Sequence, residues 1–85
     1  MVFVRSQDGK KLENTAGVII EALKVSTWEI LVGDAGHFNS FASYKSEEAA
    51  MAAIEWMEDK INHMEGENGV IQFPSQEELE VLGRC

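Results

Sequence analysis

Cysteine, proline and histidine are nearly absent from this 85-residue sequence: Cys85, Pro74, His37 and His63 are all it has. A lone thiol closes no internal disulfide, so the paired-cysteine framework of small secreted domains is excluded and a reducing, cytoplasmic setting is expected. Long apolar runs are missing too. None approaches the roughly 18 residues of a membrane span, and the first residues lack a long apolar stretch ending in small side chains, so neither membrane insertion nor export is expected. Basic charge is scarce, with 7 Lys and Arg against 15 Asp and Glu and a formal net charge of −8. The imbalance is local. Residues 1–46 carry five acids and five bases, whereas residues 47–85 carry ten acids and only Lys60 and Arg84. A surface of that sign repels phosphates and gains nothing from counterion release, which disfavours direct binding to nucleic acid or anionic lipid. A basic or DNA-binding protein is the partner such charge suits.

What is present is a globular composition, 45% hydrophobic with two Trp and four Phe. The length suits a single domain over residues 1–85 with a thin core, since so short a chain buries only about 60–65% of its unfolded surface. Val2-Phe3-Val4 alternates into Arg5 and Ser6 as a first strand, and Gln7-Asp8-Gly9 supplies a tight turn. Lys10 to Glu13 returns as a short strand before a break at Asn14-Thr15-Ala16-Gly17. Residues 18–25 read as a helix capped by Asn14 or Thr15, or as a strand. Gly17 and the adjacent β-branched Val18, Ile19 and Ile20 favour the strand. Ser26-Thr27 is a turn, Trp28 to Val32 a strand, Gly33-Asp34-Ala35-Gly36 a break, and Phe38 to Tyr44 the last strand of this meander.

The clearest pattern begins at Ser46, whose hydroxyl suits an N-cap, with Glu47 and Glu48 at the positive end of the helix dipole. At about 100° per residue, Ala50, Ala53, Ile54, Met57, Ile61 and Met64 share one arc, opposed by Glu47, Glu48, Glu55, Glu58, Asp59 and Glu65. This predicts an amphipathic helix over residues 47–65, with Lys60 and His63 near its negative end and Gly66 or Gly69 ending it. Aspartate in place of Ile54 or Ile61 is expected to unfold the chain. Val70 to Phe73 returns to the sheet, and Pro74 blocks continuation. Ser75-Gln76-Glu77-Glu78 has capping-box spacing with Leu79 and Leu82 one turn apart, predicting a short final helix against a competing extended Leu79-Glu80-Val81. The fold class expected is α+β: a small antiparallel sheet of about four to six strands covered by one amphipathic helix.

No catalytic, cofactor or metal site is expected. The two histidines lack a close metal-ligand spacing, no nucleophile stands in a diagnostic motif, and Gly33-Asp34-Ala35-Gly36 lacks the Gly-Lys-Ser/Thr of a phosphate loop. Crowded acids at helical spacing usually form a solvated face. Glu48, Glu55, Glu58 and Asp59 nonetheless form a candidate acidic interaction face, because Glu48/Glu55 and Glu55/Asp59 repel and such repulsion is sometimes kept for binding. Met51 and Trp56 are candidate apolar contacts. Trp28 and Trp56 read first as closing the core edge, and Met51 as a single exposed apolar residue.

The order Ser6-Gln7-Asp8-Gly9, Tyr44-Lys45-Ser46-Glu47-Glu48-Ala49 and Gln72-Phe73-Pro74 resembles a group of small uncharacterised bacterial proteins, many from genomes or mobile elements of Firmicutes. The resemblance implies a strand-rich first half, one amphipathic helix and a final strand, and it brings no activity. The expected function is non-catalytic protein–protein interaction, including self-association through the second sheet face or an exposed strand edge. The alternative is an acidic inhibitor that mimics nucleic acid, of anti-restriction or anti-CRISPR type. An enzyme would need a pocket that no motif announces.

Overall fold

The computed structural model describes residues 1–34, 36–64 and 68–81. Its elements are β1 (Val2–Arg5), β2 (Leu12–Asn14), β3 (Ile19–Lys24), β4 (Trp28–Asp34), β5 (His37–Tyr44), α1 (Glu47–His63), β6 (Gly69–Gln72) and α2 (Gln76–Val81). This is the α+β class read from the sequence, with the 18–25 segment a strand as its β-branched residues required. The six strands divide between two sheets, ordered β2-β1-β6 and β3-β4-β5.

The division follows from how β1 is used. Gly9, at φ 79°, lets the chain reverse after β1, and its N–H donates to the Ser6 carbonyl at 2.9 Å. The buried Ser6 hydroxyl accepts the Lys10 and Lys11 amides at 3.2 and 3.0 Å, so the turn is satisfied from within. β2 then pairs antiparallel with β1. On the other side β6 pairs parallel with β1, Val2 opposite Gly69 and Arg5 opposite Gln72. A parallel partner needs a long crossover, and β3–β5 together with α1 supply it. With both sides of β1 occupied, β3 starts a new sheet. The chain leaves the first sheet at Thr15, whose N–H and hydroxyl both reach the Val2 carbonyl at 2.9 Å.

In the second sheet all neighbours are antiparallel, and the register shifts between Ile30 and Leu31, which face Ala42 and Ser40. Phe41 is the unmatched residue of that bulge. Extra residues of this kind re-aim side chains. Phe41 is buried and meets Phe73 edge-on at 6.2 Å, tying the second sheet to the segment after β6. One core results, formed by Val2 and Val4 of β1, Ile30 and Val32 of β4, Tyr44, Ile71, Phe73, Leu79 and the inner face of α1.

α1 begins where the cap predicts. Ser46 is extended at φ −143° and ψ 161°, and its hydroxyl accepts the Ala49 amide at 3.1 Å. Its buried residues are Ala49, Ala50, Ala52, Ala53 and Met57, while Ile54, Ile61 and Met64 are only partly buried against the core. The buried arc is therefore turned toward the alanines relative to the arc read from the sequence. Small side chains let the helix lie close to the sheet. Met64 caps the helix, and Gly69 opens β6; Glu65 and Gly66 lie outside the described residues. In α2 the capping box forms: the Glu78 amide donates to the Ser75 hydroxyl and the Ser75 amide to the Glu78 carboxylate, both at 3.1 Å. Leu79 is buried beneath it, and Leu82 falls outside the described residues.

Candidate functional site

The helix periodicity that buries the alanines fixes the opposite face. Glu48, Met51, Glu55, Glu58 and Asp59 are all exposed. Glu55, Glu58, Asp59 and Asn62 line one shallow acidic depression of about 360 Å³. Among the described residues the His63 ring stands 3.6 Å from the Asp59 carboxylate, and Glu48, Glu55 and Glu58 face solvent without a basic partner. The nearby cation is turned away, with the Lys60 ammonium 5.5 Å from the centre of the Trp56 ring. Trp56 is partly buried against the core. Of the two apolar candidates, Met51 is exposed and Trp56 only partly so.

Beside that stripe runs a groove of about 250 Å³ between β3 and α1, lined by Val18, Ile20, Ile54, Glu58, Ile61 and Asn62. Glu58 and Asn62 line both depressions, so the groove is apolar within and acidic along one rim. It lies beside β3, the edge strand of the second sheet, which among the described residues pairs only with β4.

The strand edges differ in how they are closed. The β5 edge is bridged by the turn after β1: the Gln7 amide donates to the Phe41 carbonyl at 2.6 Å, the Ser43 amide donates to the Gln7 side chain at 3.1 Å, and the Lys11 ammonium reaches the Ser40 carbonyl at 2.8 Å. The hollow along this seam, lined in part by Gln7, Asp8, Lys11 and Ser40, is accordingly one of mutually paired polar groups. Asp8 accepts the Ser6 hydroxyl at 2.5 Å and the Lys10 amide at 3.0 Å. Those two bonds, the Ser6 one foremost, hold its carboxyl below the ordinary value. β2 and β6 have short edges of three and four residues. β3 presents six, Ile19 to Lys24, with no proline and a continuous register to β4.

No family model, curated protein or solved structure matches the chain. The physical character of its surface is what bears on function.

On β3 the alternation places Ile20 and Ala22 toward the core and leaves Ile19 and Leu23 on the outer face, 53% and 49% exposed. Open edges of this kind pair readily with another chain unless blocked. Phe38, across Gly33 from Ile19, continues the apolar row and is itself exposed. Sequence reading anticipated an exposed edge without locating it. Ile19, Ile20 and Leu23 carry no edge signal in the sequence, because a short, mostly apolar strand has the pattern of a buried one, and Asn62 reads as one more polar residue of the helix. Among the described residues no three or more His, Cys, Asp or Glu side chains converge as a metal site, and no helix is long and apolar enough to cross a membrane.

Proposed function

We propose that this chain is a non-catalytic protein–protein interaction module that binds through the open edge of β3. The observation that carries the reading is the contrast between edges: β5 is bridged by Gln7 and Lys11, whereas β3, beside its apolar groove, has β4 as its only strand neighbour among the described residues. Strand addition supplies backbone hydrogen bonds for affinity and side-chain pockets for specificity. The single cysteine and the resemblance to small bacterial proteins support a bacterial cytoplasmic setting. The test compares capture from a lysate of the source organism by the tagged wild type and by the Ile19→Lys/Leu23→Lys variant. Both positions are exposed, so the variant keeps its circular dichroism spectrum. Loss of the captured protein in this variant supports binding at β3; equal capture places the contact elsewhere.

A second reading, nucleic-acid mimicry, is favoured by the carboxylates of Glu48, Glu55 and Glu58, which lack basic partners among the described residues. It requires that competitor DNA displace the captured protein and that Glu55→Lys/Glu58→Lys/Asp59→Lys abolish capture, while Ile19→Lys/Leu23→Lys leaves it intact.

A further inference from the structure

Resting on the β3-edge reading, we infer that the partner offers an extended segment in which basic residues alternate with apolar ones. A strand added beside β3 lies about 4.8 Å away, and its side chains alternate between the two faces of the sheet. On the helix side they pass over the groove lined by Val18, Ile20, Ile54 and Ile61, whose rim is Glu58 and Asn62, with Glu55 and Asp59 in the adjoining depression. Lysine or arginine suits that path: the methylene stem covers the aliphatic floor while the charged head reaches the carboxylates. On the outer face the added side chains stand beside Ile19 and Leu23, half exposed in the free chain, with the exposed Glu21 between them, so two of the three positions are apolar. Apolar residues suit that side. The pattern is therefore basic toward α1 and apolar away from it.

A second copy of this chain fits less well. Its own β3 contributes one base, Lys24, on the helix side, and it brings a second stripe of Glu55, Glu58 and Asp59 to the same edge. Like charges brought together across an interface are unfavourable and select against that partner. A cationic segment turns the same stripe into attraction and faster encounter.

The test uses fluorescein-labelled peptides of β3's length in three forms, alternating Lys with Val, Thr with Val, and Glu with Val, titrated by anisotropy. The Lys/Val peptide is expected to bind at least about tenfold more tightly than the Thr/Val peptide at about 0.1 M salt. The advantage shrinks toward 1 M, where the screening length falls from roughly 10 to 3 Å. Glu58→Lys/Asp59→Lys removes the advantage, and Ile19→Lys/Leu23→Lys weakens both peptides. Equal binding of Lys/Val and Thr/Val, lost in the β3 variant, overturns the cationic segment and leaves the edge reading standing. A concentration-dependent dimer in sedimentation that Ile19→Lys/Leu23→Lys dissolves does the same, with a second copy as occupant. Failure of all three peptides with a strict monomer overturns both.

Discussion

Removing the phenolic hydroxyl of Tyr44 tests how β5 and the segment after β6 are joined. The side chain is buried and donates to the Pro74 carbonyl at 2.6 Å, and Gln7 donates to the same oxygen at 3.1 Å. In Tyr44→Phe the carbonyl keeps Gln7, so the loss is that of one hydrogen bond, about 1 kcal/mol. In Gln7→Leu it keeps Tyr44, and the freed groups of exposed Ser43 find water, again costing about 1 kcal/mol. With both changed the carbonyl is orphaned, adding about 1 to 3 kcal/mol for an unsatisfied buried acceptor. The double variant therefore loses more than the sum of the singles. Urea titrations read this as midpoints, each kcal/mol moving the midpoint by about 1 M where the slope is roughly 1 kcal/mol/M. The pH dependence is a second readout. Burial, and then the charge of Glu78, raise the Tyr44 pKa above its ordinary 10.0, so above pH 10 the unfolded chain ionises there first and stability falls as pH rises. Tyr44→Phe removes that alkaline loss. Additive losses, or an unchanged alkaline profile in Tyr44→Phe, would refute the shared-acceptor account.

Ser46→Ala removes the acceptor of the Ala49 amide and is expected to cost about 1 kcal/mol by thermal unfolding, most of it recovered by Ser46→Asp. Met57→Ala, at a fully buried position, costs about 2 to 5 kcal/mol, and calorimetry finds a smaller loss for Ile61→Ala at the groove. For Asp8, whose pKa is lowered by the Ser6 and Lys10 hydrogen bonds, the stabilisation is present above the ordinary carboxylate value and fades as pH falls through the lowered one. Acid titrations of Asp8→Asn should lack that component while retaining any contributed by other carboxylates.

Much of the fold was legible because its signals are local. Ser46 with Glu47 and Glu48, the Ser75–Glu78 box, the Gly9 turn and the β-branched Val18-Ile19-Ile20 each act within a few residues. The division into two sheets was not, because it depends on which strand occupies the second side of β1, and the parallel pairing of Val2 with Gly69 joins segments far apart in the chain. The bulge at Phe41 was equally hidden. Its burial depends on the Phe73 ring, far along the chain. Periodicity placed Ile54 and Ile61 at one end of the helix's apolar arc, next to Ala50, whereas the sheet takes the alanines and Met57 and leaves these isoleucines only partly buried. That rotation leaves Ile54 and Ile61 lining the groove. The carboxylate stripe was visible from helical spacing, but its position beside an open strand edge is a tertiary fact.

Amide hydrogen exchange along β3 and β5, followed by NMR in the free protein and with the Lys/Val peptide, measures the central claim most directly. In the free protein the Ser43 amide, held by Gln7, is protected, while the outward-facing amides of β3 exchange quickly; added peptide slows those of β3 and leaves Ser43 unchanged. Outward β3 amides already protected in the monomer, or left fast when the peptide binds, would contradict it.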